Sequence, residues 1–533
     1  MNMCTSETAA VIETAPREFW PSFLAMSGIA LVSMIVALDQ TVISTALPSI
    51  IADLHGFELY AWVANAYLLA SISTVPIFGR LGDVYGRKRF VVASIVIFTV
   101  ASILCGMSSS MEMLIASRAL QGIGGGILVA TAFPSASDLF PEARTRVKWQ
   151  VLISSAYGIG TAAGPSLGGL LTEAFGWRST FLINLPVGVL CLFCVLRYLP
   201  DIRQFKAAGS QRPKIDFAGA GVLAVALICL ELFAHGMADN GFDTRNGLTL
   251  LMGCLALWGF IKIEGRTPNA IVPLDLFRNR DLVKLLLLSL GVGFSLFGFM
   301  LYVPLLLQGG FGLTPKEAGI VATPFAAFIA VGSMINTRVI VRLERPVLAV
   351  TFGFTLIAIA ALCLHQVGGT DIKTLVSLSV VVAGIGLGFC VNNLNVFSHG
   401  IVGRERFGVS TALMQTTRMM GGMIGTTLIG AIVAHTYASG IRSAAPAVLA
   451  STNDAALRST LENPQVLMGG QAGDSLARYA AAQGISLPEL LSYCRAHLID
   501  AIQAGFLFLG IVGACAIFIT FRLRQLRLDA HKR

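Results

Sequence analysis

Charged residues are scarce in this sequence of 533 residues, where Asp, Glu, Lys and Arg together account for 13%. Soluble domains contain about 25% charged residues, because their surfaces face water. Hydrophobic residues reach 55% here, and the mean hydropathy is +0.75. A soluble chain of this length would form several domains, and so little charge could not cover their surfaces. The composition therefore predicts a protein that crosses a membrane repeatedly.

The sequence also lacks the usual patterns of metal, nucleotide and catalytic sites. Most of the ten Cys lie inside or beside apolar runs, and the pair Cys191 and Cys194 has no other ligand nearby. The phosphate-binding motif GxxxxGK[ST] is absent, so any transport would have to use an ion or substrate gradient. No arrangement of Ser, His and Asp indicates an enzyme, and we expect no metal or cofactor. The net charge of +9 is scattered between apolar runs, which disfavours a nucleic-acid partner.

Apolar runs long enough to span a bilayer recur through the chain. A transmembrane helix needs about 20 largely apolar residues, and fourteen segments meet this requirement. They are 20–46, 59–79, 90–108, 111–135, 149–171, 180–199, 216–236, 248–263, 282–307, 317–337, 347–365, 374–398, 409–437 and 499–521. Most of the 38 Lys and Arg fall in alternate connecting segments, as the positive-inside rule requires when both termini are cytoplasmic. The sequence therefore predicts an all-α polytopic membrane protein with fourteen transmembrane helices.

The segment after the second span combines glycine, an acid and a cluster of cations. It reads Gly79-Arg-Leu-Gly-Asp83-Val-Tyr-Gly86-Arg87-Lys-Arg. Glycine permits a tight turn between helices, and Asp83 could pair with a helix N-terminus or a guanidinium. A simple topology anchor would need only the cations, so the glycines and the acid require another explanation.

Small residues recur every four positions in the fifth span. Gly160, Gly164 and Gly168 share one helix face, which is typical of close helix packing in lipid. We expect Pro165 to break or bend this helix. The face would form a seam that seals one side of a rocking transporter, or it would serve packing alone. Two glycines four residues apart in the thirteenth span repeat the pattern, which indicates an internal repeat.

These motifs resemble those of the major facilitator superfamily. The segment 79–89 is similar to the family signature Gly-x-Leu-x-Asp-x-x-Gly-Arg-Lys/Arg, and the resemblance implies that its named residues form a cytoplasmic gate. The glycines of the fifth span are similar to the antiporter motif. Segment 114–124 looks like the family's membrane-embedded arginine motif. Segments 38–48, 177–188 and 415–425 are similar to motifs of the drug:proton antiporter group with fourteen spans. The loop after the tenth span lacks the Gly/Asp framework that a second copy of the signature would have.

The resemblance implies a major facilitator fold with a six, two, six arrangement of helices. The expected units are a cytoplasmic N-terminal tail (1–19), an N-terminal six-helix bundle (20–199), a cytoplasmic linker (200–215), a two-helix insert (216–263), a C-terminal six-helix bundle (264–521) and a cytoplasmic tail (522–533). The C-terminal bundle would include a long external loop at 438–498. Within this loop we expect short helices around 472–482 and 487–497.

The resemblance also implies a proton-coupled secondary transporter. It would export drugs or other amphipathic, often cationic, toxic compounds across the plasma membrane by alternating access. In a Gram-negative cell this would be the inner membrane, and a periplasmic adaptor would be a candidate partner. The alternatives are a dedicated exporter of one metabolite, siderophore or lipid, and a sensor or scaffold that does not transport.

Four ionisable side chains, one of them Arg418 in the thirteenth span, are expected within the membrane, where each costs roughly 2.5–3.5 kcal/mol to insert. Asp39 in the first span would be a proton-binding carboxylate beside the central cavity, or a structural hydrogen-bonding group. Arg118 in the fourth span keeps its charge. The resemblance assigns it to proton coupling, while an ion pair that only holds helices together is the alternative. Glu231 in the seventh span would be a second proton site or a counter-charge for cationic substrates, although we favour a position near the outer end, in contact with water.

Polar and aromatic side chains in several spans are candidates for lining a substrate cavity. They are Tyr67, Gln121, Tyr157, Phe297, Asn392 and Arg418. Asn392 is equally typical of hydrogen bonds between helices, and aromatic side chains on membrane helices more often face lipid. The sequence alone does not identify an acidic partner for either arginine.

Overall fold

The computed structural model describes residues 19–140, 143–200, 217–240, 243–266, 274–368, 371–402, 407–443, 461–467, 476–478, 480 and 486–523. Within these ranges the regular structure is helical, and no strand occurs. Nearly all of the predicted linker at 200–215 and of both terminal tails lies outside the described residues.

Besides helical residues at 461 and, within the predicted short helix at 472–482, at 476–478 and 480, fifteen α-helices have both ends in the described part of the chain. They are α1 (Phe19–Leu54), α2 (Tyr60–Tyr85), α3 (Arg87–Gly106), α4 (Met111–Leu139), α5 (Ala143–Phe175), α6 (Ser179–Leu182), α7 (Asn184–Tyr198), α8 (Phe217–Asn240), α9 (Thr244–Glu264), α10 (Arg280–Leu305), α11 (Pro315–Ile340), α12 (Val347–His365), α13 (Ile372–Val402), α14 (Phe407–Ser443) and α15 (Leu487–Phe521). The short α6 and α7 together make one apolar segment, and a π-helical turn at Leu306–Gly310 continues α10.

A helix occupies each of the fourteen predicted spans. Among the described residues, eleven helical segments are long and apolar enough to cross a bilayer. The other three predicted spans coincide with α2, α5 and α8. The polytopic, all-α architecture is therefore confirmed, while the count of fourteen membrane crossings remains a prediction.

Several helices run beyond the predicted limits, because polar residues continue a helix outside the apolar run. The final helix begins at Leu487 rather than 499, so the expected separate short helix at 487–497 is wrong. Helix α14 continues to Ser443. The stretch between the two helices is thus shorter than the predicted loop at 438–498. Within that stretch, a described 3-10 turn at Pro464–Leu467 is buried.

The helices pack as two bundles with a helix pair beside them. In the N-terminal bundle (α1–α7), α1 packs on α5 and α2 packs on α4. In the C-terminal bundle (α10–α15), α10 packs on α14, and α13 packs on both α11 and α12. The bundles meet where α5 lies against α11 and α2 lies against α14. Helix α8 pairs with α9 and contacts both α2 and α14.

Polar contacts join the two bundles toward one end of the molecule, which we call the closed end. It is the end at which α1 finishes and α2 starts. The Gln308 amide donates to the Thr45 carbonyl at 2.9 Å, and the Ser166 and Thr323 hydroxyls lie 2.5 Å apart. The Tyr60 hydroxyl donates to the Leu301 carbonyl at 2.8 Å. These contacts hold the bundles together on this side.

The glycine face of α5 packs directly against α1, as the spacing predicts. A Cβ at Gly160 would overlap the Met34 carbonyl oxygen, and a Cβ at Gly164 would overlap the Thr41 side chain. At Gly168, a Cβ would lie 2.5 Å from the Thr45 hydroxyl. Helix α5 runs from Ala143 to Phe175 through its internal proline, so Pro165 does not break the helix, and the alternative of a bend stays a prediction.

Substituting the buried glycines should destabilise the protein in a position-specific way. We expect Gly160→Ala to lower the free energy of unfolding by about 1–3 kcal/mol, because the new methyl group must displace backbone. Gly158→Ala, two residues earlier on α5, should be neutral, because a Cβ at that position would meet no atom within 4 Å. Thermal unfolding of the two purified variants in detergent measures the difference. Equal melting temperatures for both would contradict the packing described for α5.

Candidate proton and substrate sites

A buried ion pair joins α1 to α4 in the N-terminal bundle. The Arg118 guanidinium donates to the Asp39 carboxylate at 2.6 Å, and each side chain is 1% exposed. The structure thus supplies the acidic partner of Arg118 that the sequence could not identify. Removing one member of such a pair costs roughly 3–5 kcal/mol, because the other charge is left buried and uncompensated.

Neutral donors complete the shell around Asp39. The Gln121 amide donates to one carboxylate oxygen at 2.7 Å, and the Asn184 amide donates to the same oxygen at 3.1 Å. Both amides also donate to the Ser102 hydroxyl. Every group directed at Asp39 in this set is a donor, so the shell fits an ionised carboxylate. Gln121 was predicted to line the cavity, and the structure instead buries it in this shell.

Arg118 also contacts the start of α2. Its Nε donates to the Val63 carbonyl at 3.2 Å, and its guanidinium carbon lies 4.8 Å from the centre of the Tyr67 ring. Tyr67 is 1% exposed and accepts a hydrogen bond from the Gln40 amide at 3.3 Å. Tyr67 therefore packs against the ion pair instead of lining an open cavity in this conformation.

Glu231 is a second buried carboxyl group, and the prediction that it lies near the outer end in contact with water is wrong. It is 2% exposed, because α8 turns this residue toward α2 and α14. The Asn65 amide of α2 donates to it at 2.6 Å, and the Thr427 hydroxyl of α14 donates at 2.5 Å. Thr426 donates to Asn65 in turn. Glu231, on the helix pair α8–α9, thus contacts both bundles at once.

Arg118, the partner of Asp39, and Glu231 contact the same short part of α2. Arg118 binds the carbonyl of Val63, and Glu231 binds the side chain of Asn65, two residues further on. Any displacement of α2 relative to α4 or α14 would therefore change a hydrogen bond of Arg118 or of Glu231.

Arg418 and Tyr157 lie in different bundles, on α14 and α5. Both side chains are partly buried, and the guanidinium and the phenol are near enough to influence each other electrostatically. Arg418 also donates to the Gln415 side chain, one turn earlier on α14. These two predicted cavity residues are brought together between α5 and α14.

The other predicted cavity residues have different surroundings. Phe297 is 8% exposed and packs so tightly on α14 that a Cβ at Gly422 would overlap its ring. Asn392 is exposed and donates to the Ser333 hydroxyl of α11. The neighbouring Asn393 forms reciprocal hydrogen bonds with Asn336 at 2.9 Å. Asn392 and Asn393 of α13 thus form hydrogen bonds between helices, which is the alternative to lining the cavity that the sequence left open for Asn392.

The predicted gate segment is mostly helical. Gly79 and Asp83 lie within α2, and the chain turns only at Gly86, whose φ is +91°. The expectation that this segment is a loop is wrong as far as Tyr85, because α2 extends about one and a half turns beyond its apolar run. The Asp83 side chain lies outside the described residues, and Arg87 begins α3.

The two bundles of apolar helices have a buried ion pair inside one bundle and a buried carboxyl group where the bundles meet. This is the architecture of a multi-pass membrane transporter. A family model described as Major Facilitator Superfamily matches residues 29–426, and the chain belongs to this family. It is similar to Multidrug transporter protein MdtP of Bacillus subtilis (strain 168), with 31% identity over 77% of this chain and 75% of that protein. It is also similar to Multidrug resistance protein 3 of the same organism, with 28% identity over 83% and 86% of the two chains.

A solved structure with a similar fold is a bacterial homolog of the human lysosomal transporter Spinster, in an inward-facing and unoccupied conformation. The TM-score is 0.63 with 17% sequence identity, over 97% of this chain and 100% of that chain. The match supports the fold, and the family membership makes the protein a transporter of small molecules rather than an enzyme.

Proposed function

We propose that this protein exports drugs and other amphipathic toxic compounds in exchange for protons. The observation that carries the proposal is the buried Asp39–Arg118 pair, at 2.6 Å and 1% exposure. Proton coupling needs a buried carboxyl group that can exchange its counter-ion for a proton. The names of the two multidrug relatives from Bacillus subtilis support the substrate class.

Protons and Arg118 compete for Asp39. When Asp39 binds a proton it loses its negative charge, and its attraction for the guanidinium largely disappears. Arg118 would then keep only neutral acceptors, the Gln121 side chain at 2.6 Å and the Val63 carbonyl at 3.2 Å. Proton binding therefore changes the forces between α1, α4 and α2, and α2 carries that change to the contact with α14.

Alternating access would use the contacts between the bundles. We assign the closed end to the external side, with both termini in the cytoplasm and the protein in the plasma membrane. The contacts of Thr45 with Gln308 and of Ser166 with Thr323 would then break when the molecule opens outward. The close contact of α5 with α11, where a Cβ at Gly169 would overlap the Pro315 carbonyl oxygen, would seal the external side during the inward-facing state, while the Gly160, Gly164 and Gly168 face holds α5 to α1 within its bundle. The segment at Asp83, Gly86 and Arg87 would form the gate on the cytoplasmic side.

Glu231 is the second candidate for proton coupling. Its carboxyl group binds Asn65 and Thr427, which belong to different bundles. Outward opening would separate these partners and expose the carboxyl group to external protons. In a Gram-negative cell, a periplasmic adaptor is a candidate partner on this side of the membrane.

The proposal is tested by uptake driven by a pH gradient. Purified protein in liposomes should accumulate amphipathic dyes on the acidic side, and a protonophore should abolish the accumulation. The dyes are ethidium (cationic), N-phenyl-1-naphthylamine (neutral) and 8-anilinonaphthalene-1-sulfonate (anionic), with protein-free liposomes as the control. Uptake of none of the three above the control would overturn the proposed multidrug function and leave a dedicated metabolite exporter as the better explanation.

A further inference from the structure

Arg418 is a membrane-embedded cation without an acidic partner in the described part of the chain. It lies eleven residues into α14, about 16 Å from the start of the helix at 1.5 Å per residue. Among the described residues no carboxylate forms an ion pair with it, whereas Arg118 is paired with Asp39. A charge at this depth is costly unless it is paired, so Arg418 requires a counter-charge from elsewhere.

The side chains around Arg418 are not fully packed. Arg418, Gln415 and Tyr157 are each only partly buried, and a Cβ on Gly158, the residue after Tyr157 on α5, would meet no atom within 4 Å. The Gln415 side chain accepts a hydrogen bond from Arg418 and still carries an amide group that can donate. A guanidinium, an amide and a phenol can together donate several hydrogen bonds toward this space.

The other intramembrane charges do not offset Arg418. Asp39 and Arg118 neutralise each other, and both are fully buried. Glu231 is 2% exposed and hydrogen-bonded between α2 and α14. A substrate that enters between α5 and α14 therefore meets one partly exposed positive charge.

We propose that Arg418, Gln415 and Tyr157 form an anion-binding subsite, and that the preferred substrates are amphipathic compounds with an acidic group. A carboxylate, sulfonate or phenolate would bind the Arg418 guanidinium, and the apolar body of the substrate would lie between the bundles. This inference rests on the proposed export function and narrows its substrate class from amphipaths of any charge to acidic ones.

A matched pair of dyes tests the subsite in proteoliposomes. 8-Anilinonaphthalene-1-sulfonate and N-phenyl-1-naphthylamine share one ring skeleton and differ by the sulfonate. We expect Arg418→Gln to raise the KM for the sulfonate about tenfold, the effect of losing one hydrogen bond to a charged group. The KM for the neutral dye should stay within about twofold. The KM of Arg418→Lys for the sulfonate should lie between the KM of wild type and that of Arg418→Gln, because lysine keeps the charge but lacks the planar guanidinium.

The control is Arg442→Gln, which makes the same change at an exposed arginine of the same helix and should alter neither KM.

Equal loss of transport of both dyes in Arg418→Gln would overturn the subsite and indicate a structural role. If Arg418→Gln does not fold, an unchanged sulfonate KM in Arg418→Lys would overturn it. Proton-coupled transport of ethidium but not of the sulfonate by wild type would refute the anion preference and leave the export function intact. Transport of no dye would refute both.

Discussion

Asp39→Asn should reduce pH-driven dye uptake to the level of protein-free liposomes. The amide has nearly the shape of the carboxyl group, but it cannot bind and release a proton, so the competition between the proton and Arg118 is lost. Arg118 also loses its counter-charge, a change that costs roughly 3–5 kcal/mol in buried pairs. We therefore expect a lower melting temperature as well. Uptake driven by the pH gradient and thermal unfolding of the same preparation measure the two effects.

Two variants separate coupling from folding in this experiment. Asp53→Asn removes a carboxylate from the same helix, where it binds Arg178 in a half-exposed pair, and it should keep coupled uptake. Asp39→Glu retains a carboxyl group and should keep part of the uptake. Full pH-driven uptake by a folded Asp39→Asn variant would exclude Asp39 from the coupling path and make Glu231 the leading candidate.

A disulfide between positions 166 and 323 should stop transport completely. The Ser166 and Thr323 hydroxyls lie 2.5 Å apart across the contact between α5 and α11, so two cysteines there are close enough to be cross-linked. Alternating access requires this contact to open in every cycle. We expect oxidation of Ser166→Cys/Thr323→Cys to reduce dye uptake to background and reduction to restore it, with the cross-linked peptide identified by mass spectrometry.

The single variants Ser166→Cys and Thr323→Cys control for the native cysteines, which are present in all three proteins. Both single variants should transport equally well before and after oxidation. A cross-linked double variant that transports at the rate of its reduced form would mean that the closed end does not open during transport.

The sequence indicated the fold well because its strongest signals are local. Long apolar runs and the alternating positions of Lys and Arg depend only on the solvent around each segment, and they located all fourteen helical regions. The four-residue spacing of Gly160, Gly164 and Gly168 identified the packed face of α5, since helix geometry alone puts these residues on one side. Only the structure shows that this face packs against α1.

The polar sites depend on contacts between distant segments, which no local pattern reveals. Asp39 and Arg118 were recognised because charge is rare in an apolar run, yet their pairing spans 79 positions of the chain. Asn184 and Asn65 went unassigned, although each is an isolated amide within an apolar helix. That isolation is a usable signal, because a buried amide in lipid needs partners.

Glu231 was misjudged because the sequence does not reveal how α8 is rotated. Its carboxyl group could have faced water or the bundle, and only the packing of α8 on α2 and α14 decides between them. The ends of helices were also misplaced where polar residues extend a helix past its apolar run, as at Gly79 in α2.

The most direct test of proton exchange records both fluxes in one preparation. Liposomes with an acidic interior and a pH-sensitive dye inside receive wild-type protein and then the amphipathic substrate. We predict that substrate uptake and proton release begin together, and that both are absent from Asp39→Asn. Substrate uptake with no proton release, at the same rate with and without a pH gradient, would contradict proton exchange.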